Sequence, residues 1–127
     1  MTAGRRALVV EDEAVIAMEL EALLSDMGLE VVGIAADAAR ALELARKWAP
    51  DVIVLDVRLA RRGDGVAVAH DLRAFCSAPI VFATAHPDEA TLEWAMSVGR
   101  ASFVTKPFDA RTISEAVTAA LREPDAG

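Results

Sequence analysis

Five residues of this 127-residue chain have the types that metal-assisted phosphoryl chemistry needs, and each stands within two residues of the end of a short apolar run. Glu11 and Asp12 follow Ala7-Leu8-Val9-Val10, Asp56 follows Val52-Ile53-Val54-Leu55, Thr84 follows Ile80-Val81-Phe82-Ala83, and Lys106 comes two residues after Ala101-Ser102-Phe103-Val104. Converging carboxylates raise one another's pKa unless a cation intervenes. A hard divalent ion such as Mg²⁺ (or Mn²⁺) suits one or two carboxylates, a backbone carbonyl, a phosphate oxygen and retained waters. An aspartate beside such an ion can attack a phosphoryl group, while the ion and an ammonium neutralise the charge that develops. Singly, each residue also has a structural explanation: Asp12 as a helix N-cap, Thr84 as a turn cap before Pro87, Lys106 as a solvated loop lysine. Jointly those explanations weaken, because the chain has only two lysines, Lys47 and Lys106, and one of them stands opposite the carboxylates.

The elements that must bring these residues together are legible as well. A fifth apolar run, Val31-Val32-Gly33-Ile34, ends in nothing reactive, and three of the runs read as strands covered on both faces. Helical patterns lie between them. Residues 14–27 align Ile16, Leu20, Leu23, Leu24 and Met27 ahead of a stop at Gly28, and Asp37 caps a helix running to about Trp48 that Pro50 ends. Residues 65–75 align Ala69, Leu72 and Phe75, residues 88–97 align Leu92, Ala95 and Met96, and Asp109 caps a last helix with Ile113, Ala116, Val117 and Leu121. This βαβαβαβαβα order predicts a doubly wound, five-stranded parallel sheet between two helical layers. In such a sheet ligands sit outside the carboxyl ends of the strands, where the five chemical residues fall.

Composition narrows the function classes. The apolar fraction of 54% includes 27 alanines, and no apolar run approaches the roughly 18 residues of a membrane span. Thirteen basic against twenty acidic residues, a net charge of −7, argue against a nucleic-acid surface. The lone Cys76 fits a reducing, cytoplasmic setting and reads as an inert small hydrophobe. His70 reads as an exposed helix residue, Trp48 and Trp94 as packing or surface residues, and Phe75 and Phe82 as core.

With these residues placed, the chain resembles a response-regulator receiver domain of two-component phosphorelay signalling, from about Arg6 to Arg122. The resemblance rests on Val9-Val10-Glu11-Asp12-Glu13, Val54-Leu55-Asp56, Phe82-Ala83-Thr84-Ala85 and Val104-Thr105-Lys106-Pro107-Phe108, in this order and each after a strand. It implies a (βα)₅ flavodoxin-like fold and one receiver domain over 1–127 (core about 6–122), with no output domain in the chain. It implies that Asp56 accepts a phosphoryl group from a histidine kinase or histidine phosphotransfer protein. Glu11, Asp12, Asp56 and the backbone carbonyl of Arg58 would hold Mg²⁺. Lys106 and Thr84 would bind the phosphoryl oxygens, Phe103 would follow Thr84 inward, and a cis bond before Pro107 would aim Lys106 at the site. The fourth helix, fifth strand and fifth helix would then change to control a downstream protein, in a monomer or a weak phosphorylation-linked dimer. No membrane contact or turnover of an external substrate is expected.

Three features depart from the family's common form. Glu11 replaces the commoner Asp and keeps metal binding. The loop Val57–Gly65 lacks the proline usual four residues after the phosphoacceptor and is about one residue longer. Arg58 and His86, two residues beyond Asp56 and Thr84, are candidates for tuning the lifetime of the aspartyl-phosphate. Two other classes fit less well. A haloacid-dehalogenase-like phosphatase would need an acid where Arg58 stands, and a phosphate-silent docking module would not need the acidic, Thr and Lys set.

Overall fold

A computed structural model describes residues 4–58, 64–85 and 88–122. Five strands, β1 (Arg6–Val10), β2 (Glu30–Ala35), β3 (Val52–Asp56), β4 (Ile80–Thr84) and β5 (Ala101–Thr105), alternate with five helices. The helices are α1 (Ala14–Asp26), α2 (Ala38–Trp48), α3 (Asp64–Arg73), α4 (Glu89–Met96) and α5 (Ala110–Arg122). All strand pairs are parallel and the order is β2-β1-β3-β4-β5. The fold is thus the doubly wound α/β sheet that the element order predicts, with its winding reversed between β1 and β3.

The continuous apolar runs divide by parity. Leu8, Val10, Ile53, Leu55, Ile80 and Phe82 point into a core shared with Ala41 and Leu44 of α2, Val66, Ala69 and Leu72 of α3, and Ala95 of α4. Their neighbours Ala7, Val9, Val52, Val54 and Val81 point into a second core with Ala17, Leu20 and Leu24 of α1 and Ile113 and Val117 of α5. Side chains alternate faces along a strand, so both faces of the central strands must be apolar when helices cover both.

Helix ends follow local chemistry. Asp37, Asp88 and Asp109 accept the backbone N–H groups of Arg40, Thr91 and Thr112 at 2.9, 2.8 and 2.8 Å. The Thr112 bonds also hold the Asp109 carboxyl below its usual range. Gly28, with φ 89°, follows the C-cap of α1, and α2 stops at Ala49, whose left-handed φ of 45° precedes Pro50. Asp12 is not a cap: Glu13 occupies the N-cap position of α1 and makes no side-chain capping bond.

Two packing expectations are corrected. Phe75 is 40% exposed instead of lying in the core. Its helix ends at Arg73, whose guanidinium donates to the carbonyls of Cys76, Val98 and Gly99, and this turns the chain before residue 75 can continue the buried face. Met96 is 52% exposed, because the two turns of α4 pack through Ala95. Phe82 is fully buried, as expected.

Gly65 of α3 lies hard against the end of β3. A Cβ there would lie 1.9 Å from the backbone oxygen of Asp56 and 2.7 Å from Leu55 Cδ2. Gly65→Ala must therefore displace α3 or the end of β3. The expected cost is about 1–3 kcal/mol, on the scale of overpacked sites, read as a lowered urea midpoint at unchanged m-value.

Candidate functional site: an acidic rim bridged by one lysine

Each chemical residue stands at or just past the last hydrogen-bonded rung of its strand. Glu11 N–H donates to the Ala35 carbonyl at 2.9 Å, carrying the β1–β2 ladder one residue beyond β1. Val57 N–H donates to the Ala83 carbonyl at 3.2 Å just after Asp56, and Lys106 N–H donates to the Thr84 carbonyl at 2.8 Å just after β5. Backbone pairing thus fixes the Cα positions of Glu11, Asp56, Thr84 and Lys106 at one rim, in the crevice where the winding reverses.

Glu11, Asp56 and Thr84 are 2%, 6% and 2% exposed, whereas Asp12 is exposed. Carboxylate oxygens of Glu11, Asp12 and Asp56 lie within 4.8 Å of one another, an arrangement that could hold a metal ion. Lys106 Nζ lies 3.4 Å from Glu11 Oε1 and 3.6 Å from Asp56 Oδ1. Backbone groups add further bonds: Glu13 N–H donates to the other Glu11 oxygen, Oε2, at 3.2 Å, and Arg58 N–H donates to the same Asp56 Oδ1 at 3.0 Å. The Lys106–Pro107 bond is cis, as the resemblance implies.

Burial pushes the Glu11 carboxyl from its ordinary 4.5 up to about 7, and the Asp56 charge pushes the same way. The Glu13 N–H and the Lys106 ammonium pull it back only in part. A carboxylate set that is short of positive charge in this way is the donor set a hard divalent cation completes.

Other anticipated residues lie around this rim. Phe103 on β5 is half-buried and stacks on Phe82, centroids 5.4 Å apart at 25°. The Arg58 side chain is exposed and only its backbone N–H reaches Asp56. His86 and the loop residues 59–63 lie outside the described residues. His70 is exposed, as expected, but it also stacks on Trp94, centroids 5.9 Å apart. Gly65 under Asp56 was missed. The Asp64-Gly65 pair is a turn signal, and a helical glycine facing a preceding strand is its only further trace in the sequence.

The rim is thus a parallel sheet's switch point with buried carboxylates, an ammonium between them and a hydroxyl on the next strand. Comparisons with known proteins give the family. The family model described as "Response regulator receiver domain" matches residues 7–118, and the chain belongs to that family. It is 38% identical over 117 residues to the transcriptional regulatory protein PdtaR of Mycobacterium tuberculosis, covering 92% of this chain and 57% of that protein. It is 32% identical to the receiver domain of NtrX from Brucella abortus, with a TM-score of 0.84 over 93% of this chain and 99% of that one. Vibrio cholerae chemotaxis protein CheY4 superposes with a TM-score of 0.84 at 28% identity, over 94% of this chain and 100% of that one. The chain spans about half the length of the curated relatives it matches. Receiver domains are signalling domains governed by phosphorylation, and membership implies dealings with histidine kinases or phosphotransfer proteins. Among the described residues no helix is long and apolar enough to cross a membrane.

The raised Glu11 pKa fixes a pH dependence. Between about 4.5 and about 7 the folded, metal-free chain keeps the proton that the unfolded chain loses. The native state then binds more protons, so this group makes stability fall as pH rises through that window. Urea midpoints measured across the window should show the decline in wild type and lose that component in Glu11→Gln.

Proposed function

We propose that the chain is a phosphorylation-dependent signalling switch in which Asp56 accepts a phosphoryl group from a phosphohistidine donor. The observation that carries this reading is Asp56 itself, buried within 4.8 Å of two further carboxylates and 3.6 Å from Lys106 Nζ. A carboxylate oxygen of Asp56 attacks phosphorus, the P–N bond to the donor histidine breaks, and its electron pair leaves with the imidazole. Glu11, Asp12, Asp56 and the Arg58 carbonyl would hold Mg²⁺ (or Mn²⁺). When bound, the ion would supply charge neutralisation for the phosphoryl oxygens.

The protein's own groups account for the rest of the reaction. Lys106 moves from sharing Glu11 and Asp56 to pairing with the new phosphoryl oxygens, a charge-assisted contact stronger than a neutral one. Thr84 turns its hydroxyl to the same group, and Phe103 leaves its stack on Phe82 for the space released. Phosphorylation replaces a charge of one by nearly two, which biases the face built by α4, β5 and α5 towards a protein target. Arg58 and His86 set how long the acyl phosphate survives attack by water. Residues 6–122 act as one receiver unit in the cytoplasm, a setting that the unpaired thiol of Cys76 suits.

Intact mass after incubation with acetyl phosphate tests this reading. Wild type gains one phosphoryl increment with Mg²⁺ and none in chelator, and Asp56→Asn gains none. Lys106→Ala slows the increment by about 10²-fold, the scale for removing a charge-stabilising donor. No increment under any condition would reduce the chain to a phosphate-silent docking module. The lifetime assignment is checked separately: Arg58→Ala and His86→Ala each change the dephosphorylation rate, and unchanged rates in both would overturn it.

A further inference from the structure

Two neighbouring helices that cover the same face of the sheet are held very unequally. α3 buries Val66, Val68, Ala69 and Leu72, and Gly65 lets its first turn close on the end of β3. The two turns of α4 bury Ala95 alone, with Val98 just beyond them, and leave Trp94 and Met96 exposed. A helix with so little buried apolar surface opens locally while better-packed neighbours stay folded. It is also the helix that follows Thr84 in the chain.

Two further contacts tie α4 to α3, and they differ in strength. At the carboxyl end of α4, Arg73 of α3 donates to the Gly99 carbonyl at 2.7 Å and the Val98 carbonyl at 3.2 Å. The same half-buried guanidinium also donates to the Cys76 carbonyl at 3.0 Å, so one rigid fork joins the turn after α4 to the end of α3. One turn earlier in α3, the exposed His70 ring stacks on Trp94, centroids 5.9 Å apart at 22°. Ser97 Oγ lies 3.4 Å from His70 Nε2 and donates its hydrogen to the Trp94 carbonyl, so its oxygen is left to accept from an imidazole Nε2–H. Several charge-assisted bonds from one guanidinium resist opening together, whereas a single stacked pair at the surface opens readily.

We propose that α4 is a lever, with Arg73 as the pivot at its carboxyl end and the His70–Trp94 stack as the catch that keeps it against α3 at rest. The inference rests on the switch reading and deepens it: the phosphorylated site draws α4 away, and the stack is what yields. A ligand that favours the open position then competes with the stack. Removing the stack raises that ligand's affinity by the factor the stack contributed.

Hydrogen exchange of the metal-free chain tests the lever by itself. In His70→Ala the amides of α4 should exchange about threefold to tenfold faster, the worth of one aromatic stack. His70→Phe, which keeps a stacking ring, should restore most of that protection. Arg73→Lys, a point charge in place of a fork, should speed exchange at Val98 and Gly99 by about tenfold. Unchanged α4 exchange in His70→Ala would overturn the catch, even if amides that open only on global unfolding became faster, because the stack would then be merely structural. Unchanged protection of Val98 and Gly99 in Arg73→Lys would overturn the pivot.

Coupling to the switch is read with Mg²⁺ and beryllofluoride, a phosphoryl mimic, with bound beryllofluoride measured by fluorine NMR. The Trp94 indole N–H resonance, assigned by its loss in Trp94→Phe, should move on binding, and His70→Ala should bind about threefold to tenfold more tightly. Equal affinity, or a stationary indole resonance with beryllofluoride bound, would overturn the coupling. No bound beryllofluoride in any variant would overturn the phosphoacceptor reading instead, with the lever still decided by the exchange rates.

Discussion

Lys106 sits between two buried carboxylates, and that contact constrains everything else at the rim. Glu11 and Asp56 are both almost inaccessible, and one ammonium 3.4 and 3.6 Å away serves both. Desolvating carboxylates is costly unless positive charge or hydrogen bonds compensate, and here the compensation is incomplete. The burial of Glu11 outweighs the pull of Lys106 and the Glu13 amide, as its upward-shifted pKa records. The rim is therefore built for more positive charge than the chain supplies.

The sheet makes this tension affordable. Its apolar residues fill two cores, one with α2, α3 and α4 and the other with α1 and α5. Stability thus comes from burial along the whole length of β1, β3 and β4, while the electrostatic strain is confined to their last residues. The two halves also differ in what they touch. Phe82 and Phe103 stack on the side of α2, α3 and α4, whereas α1 carries the Glu13 amide that holds Glu11.

Much of this was legible in the sequence, for identifiable reasons. Unbroken apolar runs of β-branched residues cannot satisfy a one-sided sheet, so the three-layer fold followed, and the residue after each run had to lie at the rim. The aspartates heading α2 and α5 were readable because capping is local chemistry. What escaped depended on contacts between distant segments. The exposure of Phe75 follows from the Arg73 side chain reaching the α4–β5 turn, which i,i+3 spacing does not encode. The close approach of Gly65 to Asp56 depends on how α3 is laid against β3.

The rungs that run one residue past the strands have an evolutionary consequence. Because the last ladder bonds hold Glu11, Asp56, Thr84 and Lys106, the loops beyond them need not position the reactive groups. Those loops can lengthen or exchange side chains without redrawing the rim. Changes of length and side chain beyond the ladder can therefore accumulate while the geometry of the rim stays fixed.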